Sequence, residues 1–391
     1  MALVWKFLFY FGVMTLPFYP FNSGGIQPSH AVLALAFAVL LVNASFRLQV
    51  NLFGKIYLLM VVYIMLREIT AAMGNSNVLS LLSPIYFLFN LMVLMLTHNL
   101  SVRESKLNLA VMVSGLVAML GVIIIGVSFV RGDMTMRAIG TFNNPNQLGY
   151  FSVCFLSLSY LFYACKMISG KVFVGLMCIG FFCGFVSLSK SAILSNIVVL
   201  LAFLLSISFK NKVLILTSMI FLFMVVFVND LVPIELIQSS ELYYRFDRFG
   251  QESDSSLASR GYLLVFESGI LHLIFGMGKE GVKAYFGLET HSSIMSMLNS
   301  YGLVGLIFFL VLLAVWFLEI YRAFGFEGFM GICLPAVLYG LAHNGNRFVI
   351  FWLLVGASLS IARTTFQARA ERLNPDVSPD QTLQNPVNKV V

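Results

Sequence analysis

Charge is the first thing this chain lacks. Asp, Glu, Lys and Arg together make up 10% of its 391 residues, where soluble domains carry about 25%, and that excludes an ordinary soluble enzyme. Cysteine is sparse as well. The five present, Cys154, Cys165, Cys178, Cys183 and Cys333, lie within or at the ends of apolar runs, without metal-ligand spacing or a loop location. They exclude a disulfide framework and a zinc module, and read as small apolar core residues. No period-two alternation runs through the apolar stretches, which argues against a membrane β-barrel. Nor does the chain contain a Walker-type phosphate loop, a His-Glu-x-x-His helix, an Asp-x-Asp pair or a Gly-x-Ser-x-Gly elbow. Any group transfer is therefore expected to proceed with no metal and no cofactor, with Arg or Lys stabilising the leaving group.

What the chain has in abundance is apolar length. Hydrophobic residues make up 59% of it and the mean hydropathy is +0.92. At about 20 residues per helical span, that supports an all-α, polytopic membrane bundle of about twelve spans. The runs are Leu3–Phe21, His30–Phe46, Leu52–Leu66, Val78–Thr97, Leu107–Val130, Gln147–Cys165, Val172–Leu188, Ala192–Phe209 and Val213–Leu231, then Leu303–Ile320, Phe329–Leu341 and Phe348–Ala362. The first lacks a small-residue cleavage site and is kept as a span. The expected organisation is a nine-span region over 1–231, one large loop over 232–302, a three-span region over 303–362, and a polar, Pro-containing disordered tail over 363–391.

Orientation follows from Lys and Arg in the short connections. Alternate connections hold Arg47 and Lys55, Arg103 and Lys106, Lys166 and Lys171, Lys210 and Lys212, and Arg322, with Arg363, Arg369 and Arg372 in the tail. This set is expected to be cytoplasmic, with both termini, and the large loop then faces outside. The net charge of +7 is accounted for largely by this asymmetry and is not a nucleic-acid footprint.

Several cations break the rule. Arg67, Arg131, Arg137, Lys190 and Arg347 fall in expected outer connections, and the large loop adds Arg245, Arg248, Arg260, Lys279 and Lys283. Taken singly, each is as well explained by pairing with Glu68, Asp133, Glu241 or Glu252, or by facing water. As a set they bring cations to one face from five separate connections. Arginine suits bidentate contact with phosphate oxygens, so a shared anionic ligand, most simply a lipid-linked diphosphate, explains the clustering. His291, at the end of the only charged loop, is the candidate general base, because imidazole titrates near neutral pH. His343, in His343-Asn344-Gly345-Asn346-Arg347, is the second candidate, while His30, His98 and His272 read as interfacial or packed groups. Asn143 and Asn144, in Thr141-Phe-Asn-Asn-Pro-Asn-Gln147, read first as a turn and helix cap. Amides there also suit sugar hydroxyls.

Four stretches in order resemble the O-antigen ligase and polymerase superfamily of bacterial inner-membrane proteins. Gly140-Thr-Phe-Asn-Asn-Pro-Asn-Gln-Leu-Gly149 is similar to that family's Gly-Thr-Phe-x-Asn-Pro-Asn stretch. Ser187-Leu-Ser-Lys-Ser-Ala192 is similar to its Ser-Arg-Gly/Ser-Ala stretch, with Lys190 in place of the usual Arg. Ser259-Arg260 and the apolar run to Gly276-Met-Gly278 resemble its Arg-led helix ending in a Gly-x-Gly turn. His291-Ser292-x9-Gly302-x-x-Gly305 matches its His-[Asn/Ser/Gln]-x9-Gly-x-x-Gly pattern. The resemblance covers roughly 140–309. It implies a GT-C-like helical, inverting, metal-independent glycosyltransferase. Its donor would be a glycan on undecaprenyl diphosphate, presented at the periplasmic face. The family's essential histidine falls on His291 and its long-loop arginine on Arg260.

Within the family the expected activity is polymerisation of lipid-linked repeat units, with a chain-length regulator protein as a further partner. The alternative is a ligase that transfers the finished glycan to lipid A-core or protein. A transporter of lipid-linked glycan is the reading from another class. Against it, the spans show no internal repeat and no mid-span acidic coupling residue. The expected location is the bacterial inner membrane, multi-pass, with membrane lipid, glycan donor and glycan acceptor as partners.

Overall fold

The computed structural model describes residues 2–21, 25–45, 50–75, 82–129, 138–214, 217, 261–262, 268–287 and 290–373. All regular elements among them are helical. They are α1 (Ala2–Met14), α2 (Pro28–Asn43), α3 (Leu52–Asn75), α4 (Leu82–His98), α5 (Leu107–Phe129), α6 (Pro145–Ala164), α7 (Gly170–Val186), α8 (Lys190–Ser206), α9 (Ile270–Phe275), α10 (Lys279–Phe286), α11 (Ser293–Gly328), α12 (Leu334–Ala342) and α13 (Val349–Leu373). Among the described residues, five segments are long and apolar enough to cross a membrane: Leu52–Met73, Leu107–Ile125, Pro145–Ala164, Ser293–Ala342 and Val349–Phe366. Most of α1 and the whole of α2, α4, α7 and α8 are apolar but shorter. This is the make-up of a multi-pass membrane bundle.

Two helices form its axis. In α6 every residue from Gln147 to Phe162 is buried, and in α13 every residue from Val349 to Ala362. A helix that is apolar all round must be enclosed on all sides, and here neighbouring glycines let that happen. Gly115, Gly180, Gly331 and Gly345 lie directly against Phe155, Leu156, Tyr160 and Tyr150 of α6, the close approach that small residues allow between membrane helices. The outer helices are two-faced. In α3, Tyr57, Met60, Ile64, Glu68 and Ala71 are buried, while Leu59, Leu66 and Met73 are exposed. That stripe follows helical spacing and carries Glu68 into the interior as the fourth of its five members.

The Ser293–Ala342 stretch is not one rod. Its backbone breaks at Gly302 (φ 66°, ψ −168°) and Gly325 (φ 71°, ψ −164°), both conformations that favour glycine. Between the breaks lies an apolar rod, and beyond Gly325 the chain returns through a π-helical turn (Phe329–Cys333) and α12. It comes back to where it began, for the Ser293 hydroxyl donates to the His343 carbonyl (3.2 Å).

Two boundaries differ from the sequence expectation. The third span was expected to end at Leu66, yet α3 continues to Asn75, so Arg67 and Glu68 lie inside a helix rather than in a loop. The bundle hydrogen-bonds the Arg67 guanidinium and one oxygen of Glu68. The last span was expected to end at Ala362 and be followed by disordered chain, yet α13 runs to Leu373. Its added first turn is tied to the bundle: Arg363 Nη1 lies 3.3 Å from His98 Nε2, and Arg103 Nη2 donates to Thr365 Oγ1 (2.7 Å). Of the cysteines, Cys154, Cys183 and Cys333 are buried as expected, whereas Cys178 is exposed.

Candidate functional site

At one end of the bundle four connections converge on a single cavity of about 390 Å³. These are the α1–α2 connection, the approach to α6, the approach to α11 and the α12–α13 connection. The size suits a small-molecule or sugar-sized ligand.

The wall from α6 is set by helix-start chemistry. Asn144 caps the helix, its Oδ1 accepting from Gln147 N (2.9 Å), with Pro145 at the first helical position. Gln147 Oε1 in turn accepts from Asn143 N (3.1 Å). The stretch is then tied to the α1–α2 connection. Asn143 Nδ2 donates to Phe21 O (2.7 Å), Thr141 Oγ1 to Pro17 O (2.6 Å), and Tyr19 N to Thr141 O (3.0 Å). Asn144 therefore both caps a helix and lines the cavity, while Asn143 spends its side chain on the neighbouring connection and does not line it.

A second part of the lining is organised by the two serines after His291. Ser292 caps α11. The Ser293 hydroxyl accepts from Gly345 N (2.8 Å) while donating to His343 O, and the Ser293 carbonyl accepts from Asn346 Nδ2 (2.9 Å). Asn344 Nδ2 reaches Ser296 Oγ (2.8 Å). The Asn346 carbonyl is held from the other side by Trp352 Nε1 (2.7 Å) and Asn90 Nδ2 (3.2 Å). This polar hub brings His291 into one cavity with His343 and Arg347, about fifty residues further along the chain. His291 is exposed. The His343 ring packs on Tyr339 with centroids 4.9 Å apart, and Tyr339 stacks on Tyr150 at 4.7 Å.

Lys279 and Thr290 complete that part of the lining. Asn299 Nδ2 donates to Gly261 O (2.8 Å) and lies 3.4 Å from Thr290 Oγ1, and Tyr262 donates to Leu341 O (2.6 Å). Tyr19, Tyr86, Tyr150, Gln27, His30 and Asn146 also face the cavity. Its described lining thus holds the cations Lys279 and Arg347, three histidines, several amides and tyrosines, and no carboxylate. Such a wall favours an anion beside hydroxyl-rich groups.

The structure brings together His291, His343, Arg347 and Asn144 from the sequence-derived candidates. Besides Asn143, two more lie elsewhere. Arg67 donates from Nε (3.0 Å) and Nη2 (2.6 Å) to the Gly276 carbonyl and from Nη1 to Thr70 Oγ1 (2.7 Å), so its guanidinium holds a backbone turn. Lys190 opens α8 in the 187–192 stretch, whose Ser187, Ser189 and Ala192 pack on Gly149 of α6; it does not line the cavity. Arg131, Arg137, Arg245, Arg248 and Arg260 lie outside the described residues. Reading by residue type does not single out Lys279, which it only groups with the outer cations, or His30, which it reads as an interfacial or packed group; nor does it find the tyrosines of the lining. Lys279's place after a Gly-x-Gly turn was the available signal. Among the described residues no three His, Cys, Asp or Glu side chains gather as a metal-binding set. A second, larger cavity of about 890 Å³ sits at the other end of the bundle, beside Lys166 and Arg322.

Compared with protein-family models and with curated proteins, the chain matches none.

Proposed function

We propose that this chain is a glycosyltransferase of the O-antigen polymerase and ligase type. It would extend a glycan carried on undecaprenyl diphosphate at the periplasmic face of the inner membrane, in a bundle of about twelve spans. The observation that carries the reading is the cavity wall in which His291, His343, Arg347 and Lys279 meet without a carboxylate among the described lining residues. Support also comes from the order of the four motif stretches. Two of them, 140–149 and 291–305, supply residues to the cavity, and a third, 187–192, packs behind the first.

In this reading His291 accepts the proton of an acceptor hydroxyl as that oxygen attacks the anomeric carbon of the donor. The bond to the diphosphate breaks on the opposite face, with inversion, and the diphosphate leaves with the electron pair. Arg347 stabilises the charge growing on the departing oxygens, with Arg260 as its expected partner. Gly261, the residue after Arg260, is held by Asn299 beside Thr290 of the cavity wall. Tyrosine and amide residues elsewhere in the lining suit the sugar.

The test is elongation of lipid-linked repeat units by the purified full-length protein in detergent. The native protein should lengthen the glycan with EDTA present. His291→Ala should slow it by about 10²- to 10⁴-fold. Absence of any glycan transfer, with donor bound and then released unchanged across a vesicle membrane, would replace the enzyme with a transporter. Transfer to lipid A-core alone, with no elongation, would make it a ligase.

A further inference from the structure

We propose that Lys279 is a diphosphate ligand of the cavity, and that Glu68 of α3 is the positioning residue that presents it. The inference rests on the reading above. The three residues before Lys279 are fixed by backbone. Gly276 O takes two hydrogen bonds from Arg67, while Met277 N donates to Asn299 O (3.3 Å) and Gly278 N to Ser300 O (2.8 Å). Lys279 itself is fixed by Glu68, whose Oε1 accepts from the Lys279 N–H (2.9 Å) and from the Tyr301 hydroxyl (3.0 Å). Tyr301 is steadied in turn by Ser83 Oγ (2.6 Å).

Two features point beyond packing. Glu68 has no exposed surface, and its Oε2 has no hydrogen-bond partner. Burying a carboxyl group costs free energy that an apolar residue of similar volume avoids. What an apolar residue could not do is hold the Lys279 N–H. The second feature is where the held residue leads. Lys279 lines the cavity with Arg347 and His291, with no carboxylate among the described lining residues, while the buried Glu68 carboxylate interacts electrostatically with both Lys279 and Arg67. A lining that carries cations and no carboxylate among its described residues favours an anion in the cavity. A diphosphate presents several oxygens to such a wall, whether it comes on a lipid or free in solution.

The experiment titrates the full-length protein in detergent with geranylgeranyl diphosphate and, separately, with inorganic pyrophosphate, following affinity calorimetrically and Tm in parallel. Tighter binding of the prenyl compound identifies the lipid-borne source, and equal binding the free one. Loss of one charge-assisted contact should make Lys279→Ala roughly 10- to 100-fold weaker for either probe. Glu68→Ala should weaken binding to a similar degree, and the double variant should be no weaker than Lys279→Ala alone. Glu68→Gln keeps an acceptor oxygen and should restore near-native affinity. Where Glu68→Ala does not fold, Tyr301→Phe replaces it in the cycle and should show the same non-additivity. Native affinity in Lys279→Ala, with Arg347→Ala weakened, overturns the inference and leaves the function standing. Effects of Glu68 and Lys279 that multiply show Glu68 to be only structural and overturn its positioning role. A native protein that binds neither probe removes both the inference and the function it rests on.

Discussion

At the scale of single residues, the structure sorts cations that the sequence could only group. Arg347 and Lys279 face the cavity, Arg67 is consumed by the Gly276 carbonyl, and Arg322 lies beside the cavity at the other end. Arg347→Ala should therefore lower kcat/KM by roughly 10- to 100-fold, the scale of one charge-assisted contact. Arg322→Ala should leave it near native, and equal losses in the two would show that the sorting by bundle end is wrong. His343 shares the cavity with His291, but its ring packs on Tyr339 and its carbonyl is held by Ser293. His343→Ala should accordingly cost stability as well as rate. A fully active, less stable His343→Ala beside an inactive, normally stable His291→Ala fits His291 as base, and the reverse pattern moves the base to His343. The histidines were legible as candidates because polar residues are rare here. Which of them shares a cavity with which cation was not, because the serine hub that joins 291 to 343 is made of residues with no chemical signature of their own.

At the scale of elements, the Gly-x-Gly turn at 276–278 and the break at Gly302 are one device. A Cβ on Gly302 would strike the Ile274 carbonyl, and one on Gly276 would strike the Ser300 carbonyl, so two backbones pass with no room for side chains. Both glycines also have positive φ (Gly276 80°, Gly302 66°). Gly302→Ala should thus be strongly destabilising, by about 1–3 kcal/mol for the backbone conformation alone, before the clash is counted. Gly287→Ala, also at positive φ but with nothing near its Cβ, should cost less. Thermal unfolding of the two in detergent checks this, and equal shifts in Tm would mean the close approach contributes nothing. The sequence showed both glycine motifs but not that they face each other, since spacing within a motif carries no information about its partner 26 residues away. Helix ends were misjudged for a related reason. Hydropathy stops α3 at Arg67, while hydrogen bonds to Gly276 and Lys279 carry it to Asn75.

At the scale of the whole molecule, sequence reading fared best where physics is least local. Connections that Lys and Arg counting assigned to one face do lie together. Tyr19, Asn144, His291 and Arg347 meet at one end, and Lys166 and Arg322 at the other. That the first end faces outside is a prediction. An impermeant thiol reagent applied to spheroplasts of a strain carrying Ser255→Cys should label it, and one carrying Asn211→Cys should remain unlabelled until the cells are broken. The opposite pattern would invert the topology. The Arg67–Glu68 pair also has a bearing on how the molecule is made. Its partners Gly276 and Lys279 lie 209 and 211 residues downstream. A ribosome adding about 5–20 residues per second needs roughly 10–40 s to reach them. Throughout that interval α3 carries two ionisable side chains whose partners outside the helix do not yet exist, so a chain interrupted before Gly276 presents quality-control proteases with a helix that cannot settle.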